Sequence, residues 1–169
     1  MSQLAQLSES PAQPVQASGQ AARVQLNIQR VSGFGPMARV MTSFGQVHAH
    51  VLRQGDIVRT NAGRFLPIKA IDRIRLDEDF LTRYPSALPV RVRANALGPG
   101  LPKSDKILAP YQMVRVGPPN LQSPAVAAVK LLERPFVDRV RENQITYTRI
   151  SLGTPCFVSC EGVWNELPV

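Results

Sequence analysis

The chain has 169 residues, 44% of them hydrophobic, which is enough for one domain with a real core. Fifteen Pro and 11 Gly disfavour long helices and favour short strands joined by turns. No apolar run approaches the ~20 residues needed to cross a bilayer, and no basic segment followed by an apolar core opens the chain. Its net charge of +8 comes mostly from arginine, which forms planar contacts with carboxylate or phosphate.

Residues 1–22 are Gln, Ala, Ser and Pro with one charge, Glu9, and are expected to form a flexible polar tail ahead of a domain over 23–169. Val24, Leu26 and Ile28 alternate with polar residues, the pattern of an amphipathic strand. Ser32 to Pro36 is a turn. Met37 to Thr42 is a short strand, and Gln46 to Leu52 leads on to Gly55-Asp56. Ile57 to Thr60 and Phe65 to Ile71, separated by Asn61-Ala62-Gly63, predict a hairpin. Arg73 to Tyr84, with Asp77-Glu78-Asp79, reads as a short helical or irregular connection.

Val90, Val92 and Ala94 alternate with Arg91 and Arg93, a strand with one buried face. The loop ALGPGLP follows (Ala96 to Pro102), and a second apolar run extends from Ile107 to Val116. After a loop over Gly117 to Pro124, Ser123-Pro124 predicts a short helix with Ala125 to Leu132 as its body. Ile145 to Ile150 and Phe157 to Cys160 are strands, closed by Glu161-Gly162-Val163-Trp164 with Trp164 as a hairpin anchor. Asp56 is expected to cap its turn through backbone hydrogen bonds.

Four of these blocks, in order from Val31 to Glu166, resemble the bacterial Hint domain, the self-processing module of hedgehog proteins and inteins. Phe34, Pro36, Val40, Thr42 and Gly45 hold the register of its opening Cys-Phe-x-Pro-Gly-Thr-x-Ile-x-Thr-x-x-Gly segment. Leu52, Gly55, Asp56 and Val58 match Leu-x-x-Gly-Asp-x-Val, although Ala70 stands where many members carry Trp. The ALGPGLP loop is intact, and Glu161-Gly162-Val163-Trp164 matches the closing Glu-Gly-x-Trp. The resemblance implies an all-β, pseudo-twofold horseshoe of short twisted strands with at most one or two short helices.

It also implies where the chemistry of such a domain would sit. An N-to-S acyl shift needs a nucleophile on the first residue, a His to protonate the leaving nitrogen and a neighbouring hydroxyl. The nucleophile falls on Gly33, the hydroxyl of Ser-Pro-x-His on Ala109, its His on Gln112, and a later His on Pro155. None of the four can perform the family's step. The expected reading is therefore a catalytically inactive Hint domain that acts as a binding or scaffolding module for a protein partner.

Two alternatives stay open: residual autoprocessing through Ser32, Cys156 or Cys160, and an Arg-rich surface for an anionic partner. Cys156 and Cys160, at i,i+4 on a strand, would sit ~13 Å apart, beyond disulfide reach, and read as core thiols. The Arg73/Arg75, Arg91/Arg93 and Arg139/Arg141 pairs read as the solvated faces of strands, with no aromatic interleaving to favour nucleic acid. His48-x-His50 has metal-ligand spacing, but Val47, Ala49 and Val51 around it favour a wet-face pair on a strand. No cofactor or metal is expected. The lack of a visible signal suggests the cytoplasm and leaves open export with a larger protein.

Overall fold

The computed structural model describes residues 30–117 and 123–169, so the tail at 1–22, the strand at 24–28 and residues 118–122 of the loop lie outside it. The described residues are all-β. Thirteen strands accompany one α-helix and three 3-10 turns. None of these helices is long and apolar enough to cross a membrane.

The first strands are β1 (Arg39–Thr42), β2 (Gly45–His48), β3 (Ile57–Arg59) and β4 (Phe65–Pro67). Strands β1 and β2 form a tight hairpin, and β3 and β4 form the one expected across Asn61-Ala62-Gly63. Asp56 accepts a bond from the Arg53 amide at 2.8 Å, closing the turn into β3 as its sequence implied. The returning strand is not continuous to Ile71. It breaks at Ile68, which is buried, and a new strand β5 (Ala70–Leu76) carries the chain into a different sheet.

The mixed-charge connection thus divides. Arg73 to Leu76 completes β5, and α1 (Glu78–Arg83) follows, capped by the Asp77 carboxylate on the Phe80 amide at 2.9 Å. The helix buries Leu81.

Next come β6 (Val90–Val92), β7 (Lys106–Leu108), β8 (Met113–Arg115), β9 (Ala125–Ala127), β10 (Val137–Arg139), β11 (Ile145–Ser151), β12 (Cys156–Cys160) and β13 (Val163–Leu167). Between β6 and β7 the ALGPGLP loop folds on itself, with the Leu97 amide on the Leu101 carbonyl and the Gly100 amide on Asn95 Oδ1. The helix expected over Ala125 to Leu132 is corrected. Its first three residues pair with β8 as β9, and only Ala128–Glu133 turns, as a 3-10 helix without a side-chain cap. An available edge on β8 outweighs a weak local helix signal.

The largest sheet runs β4-β3-β1-β12-β13-β8-β9 with β2 on the side of β1; β10-β6-β7 and β11-β5 form two smaller sheets. The main core holds Phe34, Val40, Leu52, Val58, Leu108 and Val158, while Val31, Ala109, Ile145 and Tyr147 belong to a second, smaller core with Leu76 and Leu81. In β13 it is Val163, Asn165 and Leu167 that point inward. Trp164 is half-buried on the outer face, opposite Ser159 and Arg115, and does not anchor the hairpin from within.

The core also encloses an amine. Lys106 shares the inward face of β7 with Leu108 and is 1% exposed, with Nζ donating to the Cys160 carbonyl and to Asn165 Oδ1, both at 3.2 Å. Burial pulls this amine below the ordinary lysine value of 10.5, with the Cys160 thiol working the other way. Between its folded value and 10.5 the unfolded chain therefore binds more protons, so the residue's contribution to stability rises with pH across that window. In denaturant unfolding followed as pH approaches 10.5, the stability of wild type relative to Lys106→Met is expected to increase with pH through that window. A pH-independent difference would contradict this.

Candidate functional site

The segment Val31 to Gly35 threads between two parts of the fold, held by main-chain bonds on both sides. On one side the Val31 carbonyl accepts from the Tyr111 amide at 3.0 Å and the Gly33 carbonyl from the Ala109 amide at 3.1 Å. The Gly35 amide on that side donates to the Ile107 carbonyl at 3.0 Å. On the other side Phe34 and Thr148 exchange two bonds of 2.9 Å each. The alternation of Val31, Gly33 and Gly35 one way and Phe34 the other is that of a central strand.

This threading brings together three of the four positions that the family pattern assigns to chemistry. Gly33 is buried with φ of +138°, and a Cβ placed there would lie 3.0 Å from the Thr148 carbonyl oxygen and 3.3 Å from Tyr147 Cβ. Both the conformation and the space suit glycine alone. Ala109 is fully buried among Val31 and Tyr147. Gln112 is 4% exposed, and its Nε2 donates to the carbonyls of Met113 at 3.1 Å and Glu166 at 2.9 Å. The side chain thereby ties this loop to β13.

Beside them lies an open cleft of about 310 Å³ lined by Ser32, Tyr111, Gln112, Met113, Glu166 and Pro168. The fourth position, Pro155, is exposed on the turn between β11 and β12 and does not line the cleft. It precedes Cys156, whose β-partner is Leu167, next to Pro168.

The other candidates sit elsewhere. Cys156 and Cys160 are free thiols at the two ends of β12, the first half-buried and the second fully buried. Burial pushes both thiols up, and at Cys160 the neighbouring Lys106 opposes that rise. His48 ends β2, whereas His50 lies in a 3-10 turn over Ala49–Val51, so the two do not share a strand face as their spacing suggested. Neither lines the cleft beside Ser32. Among the described residues no three His, Cys, Asp or Glu side chains are grouped to hold a metal.

Of the three arginine pairs only Arg73 and Arg75 share a strand, β5; Arg93 and Arg141 fall just beyond the ends of β6 and β10, and many arginines have partners within the chain. Arg91 makes a two-pronged contact with Asp138, directly across from it in β10, and Arg93 approaches the same carboxylate at 3.6 Å. The Arg91 hydrogen bond holds the Asp138 carboxyl below the usual carboxylate range. Arg149 pairs with Asp72 at 2.8 Å and Arg39 with the buried Glu161 at 2.8 Å. Arg73 and Arg139 each donate to two backbone carbonyls. Arg115 stacks over the Phe157 ring at 4.1 Å.

Sequence reasoning missed Lys106 and Asn165 as core residues. The signal for both was positional: each occupies the inward register of its strand, with Leu108 and with Val163 and Leu167. It also missed Thr148, which is fully buried beside Gly33 with an Oγ1 that meets no hydrogen-bond partner among the described residues.

Comparison with known proteins agrees with this architecture. Solved structures that resemble the fold include the gp41-1 intein and a substituted form of it. The first has a TM-score of 0.51 at 9% identity, covering 80% of this chain and 98% of the intein. The second scores 0.52 at the same identity and coverage. Among curated proteins no match is found. The family model of the Hint domain matches residues 32–167, nearly all of the described chain, and so the protein belongs to the Hint domain family.

Proposed function

We propose that this Hint domain does not process its own backbone and persists as a binding or scaffolding module for a protein partner. The observation that carries the reading is Gly33. The position where the family pattern puts its nucleophile holds no side chain and has a main-chain conformation and surroundings that disfavour one. Gln112 supports the same reading, because its amide is committed to two carbonyls and has no proton to give near neutral pH. The internal pairing of Arg39, Arg91 and Arg149 leaves fewer charges for nucleic acid and favours a protein partner.

The test is a reporter fused ahead of Ser32 and incubated with and without dithiothreitol or hydroxylamine. The fusion is expected to stay intact, as is a Gly33→Cys, Gln112→His double variant, since a Cβ at residue 33 would crowd the Thr148 carbonyl oxygen at 3.0 Å in a backbone conformation that disfavours a side chain. Cleavage of the wild-type fusion beside residue 33 would overturn the proposal.

One observation favours a second reading, residual cleavage through Ser32. The Val31 carbonyl that its hydroxyl would attack already accepts the Tyr111 amide, which is half of an oxyanion hole. Against it, neither histidine lines the cleft to act as base. Intact mass of the freshly made protein decides: a truncated species absent from Ser32→Ala would establish this second reading.

A further inference from the structure

His48 and His50 are held alike. His48 Nδ1 lies 3.1 Å from the Met37 carbonyl oxygen and His50 Nδ1 lies 2.7 Å from that of Pro36. A carbonyl oxygen can only accept, so each Nδ1 carries the proton and donates it. In the neutral ring this leaves Nε2 bare on both imidazoles, at the edges turned away from the Pro36-Met37 turn. A donor bond from one ring nitrogen to a backbone carbonyl is the usual support of a metal-binding histidine, because it fixes the tautomer and aims the other nitrogen. Here two successive carbonyls supply it to two neighbouring rings.

The spacing of the rings fits a shared ion. Their centroids are 5.7 Å apart with planes inclined by 30°. Two imidazoles bound through Nε2 to one tetrahedral Zn2+ at ~2.1 Å would place their centroids about 5 Å apart, a difference that small side-chain rotations absorb. His50 is exposed and His48 half-buried, so an ion reaches them from solvent.

We propose that His48 and His50 form a two-imidazole site for a borderline divalent metal ion such as Zn2+, with water in its remaining positions. Since no third His, Cys, Asp or Glu joins them among the described residues, the site binds modestly and keeps open positions. Open coordination distinguishes a docking or substrate-facing ion from a closed structural one. The cavity beside His50, about 560 Å³, is lined by Arg73 and Glu142, one charge of each sign. Arg73 Nη2 is directed at the His50 and Leu52 carbonyls. This inference stands apart from the processing question, since it involves neither Gly33 nor the cleft beside Ser32.

The chain contains only two histidines, so every imidazole proton signal in its NMR spectrum belongs to this pair. Titrating the protein with Zn2+ is expected to shift both histidines together, saturating at one ion per chain. His48→Ala should weaken the response of His50 roughly tenfold or more, and His50→Ala that of His48. Should an alanine variant unfold, His48→Gln and His50→Gln serve in its place. Histidines that titrate independently, a His50 response unchanged in the His48 variant, or no shift below about 1 mM Zn2+ would each overturn the proposal.

Discussion

Phe34→Ala is expected to lower the free energy of unfolding by about 3–5 kcal/mol, the range for truncating an enclosed aromatic residue. Phe34 is wholly buried in the main core, and its backbone bridges both Leu108 and Thr148. The ring therefore fills space where the smaller sheets approach one another, and neighbours held by main-chain bonds on both sides cannot collapse into the vacated volume. Guanidinium unfolding monitored by circular dichroism is the measurement, with the midpoint falling and the slope unchanged. A loss under about 1 kcal/mol would mean that the site collapses freely, contrary to this packing.

Gly35→Ala is the second large effect, and it arises from overcrowding. A Cβ on Gly35 would sit 2.7 Å from the Ile107 carbonyl oxygen and 2.9 Å from both Ile107 Cβ and Cγ2. The main chain cannot easily yield, because the Gly35 amide donates to that same carbonyl at 3.0 Å. A cost of about 2–3 kcal/mol is expected, at the upper end for a single added methyl group. Adding Ile107→Ala should recover part of it by removing Cγ2 but not the carbonyl, so a double-mutant cycle would show a favourable coupling. A neutral Gly35→Ala variant would show that the two segments are free to separate.

How far the sequence discloses this molecule depends on where the information resides. The β3–β4 hairpin is legible because its determinants are local, two apolar runs and an Asn-Ala-Gly turn. The split after Pro67 is not, because it depends on β5 finding β11, which follows it by some seventy residues and pairs over Ala70 to Leu76. The same holds for Ala125–Ala127, where Ser-Pro suggests a helix start and the edge of β8 decides otherwise. At the candidate site the sequence identifies Gly33, Ala109 and Gln112 through a family pattern. It cannot reveal that Thr148 closes over Gly33 or that the Gln112 amide is bonded to Glu166, since both contacts join distant stretches. The histidine pair shows the opposite case: its spacing suggested a shared strand face, and a 3-10 turn with two carbonyl anchors brings the rings together in another way.

The bridge between Phe34 and Thr148, with Val40 opposite Cys160, means that the earliest described strand completes its pairing only with some of the last. On a ribosome releasing the chain from its amino end, residues 31–42 would wait for most of the polypeptide before their neighbours existed. Loop closure of that length precedes any reward, so refolding should be slow for a domain of this size, on the order of milliseconds to seconds.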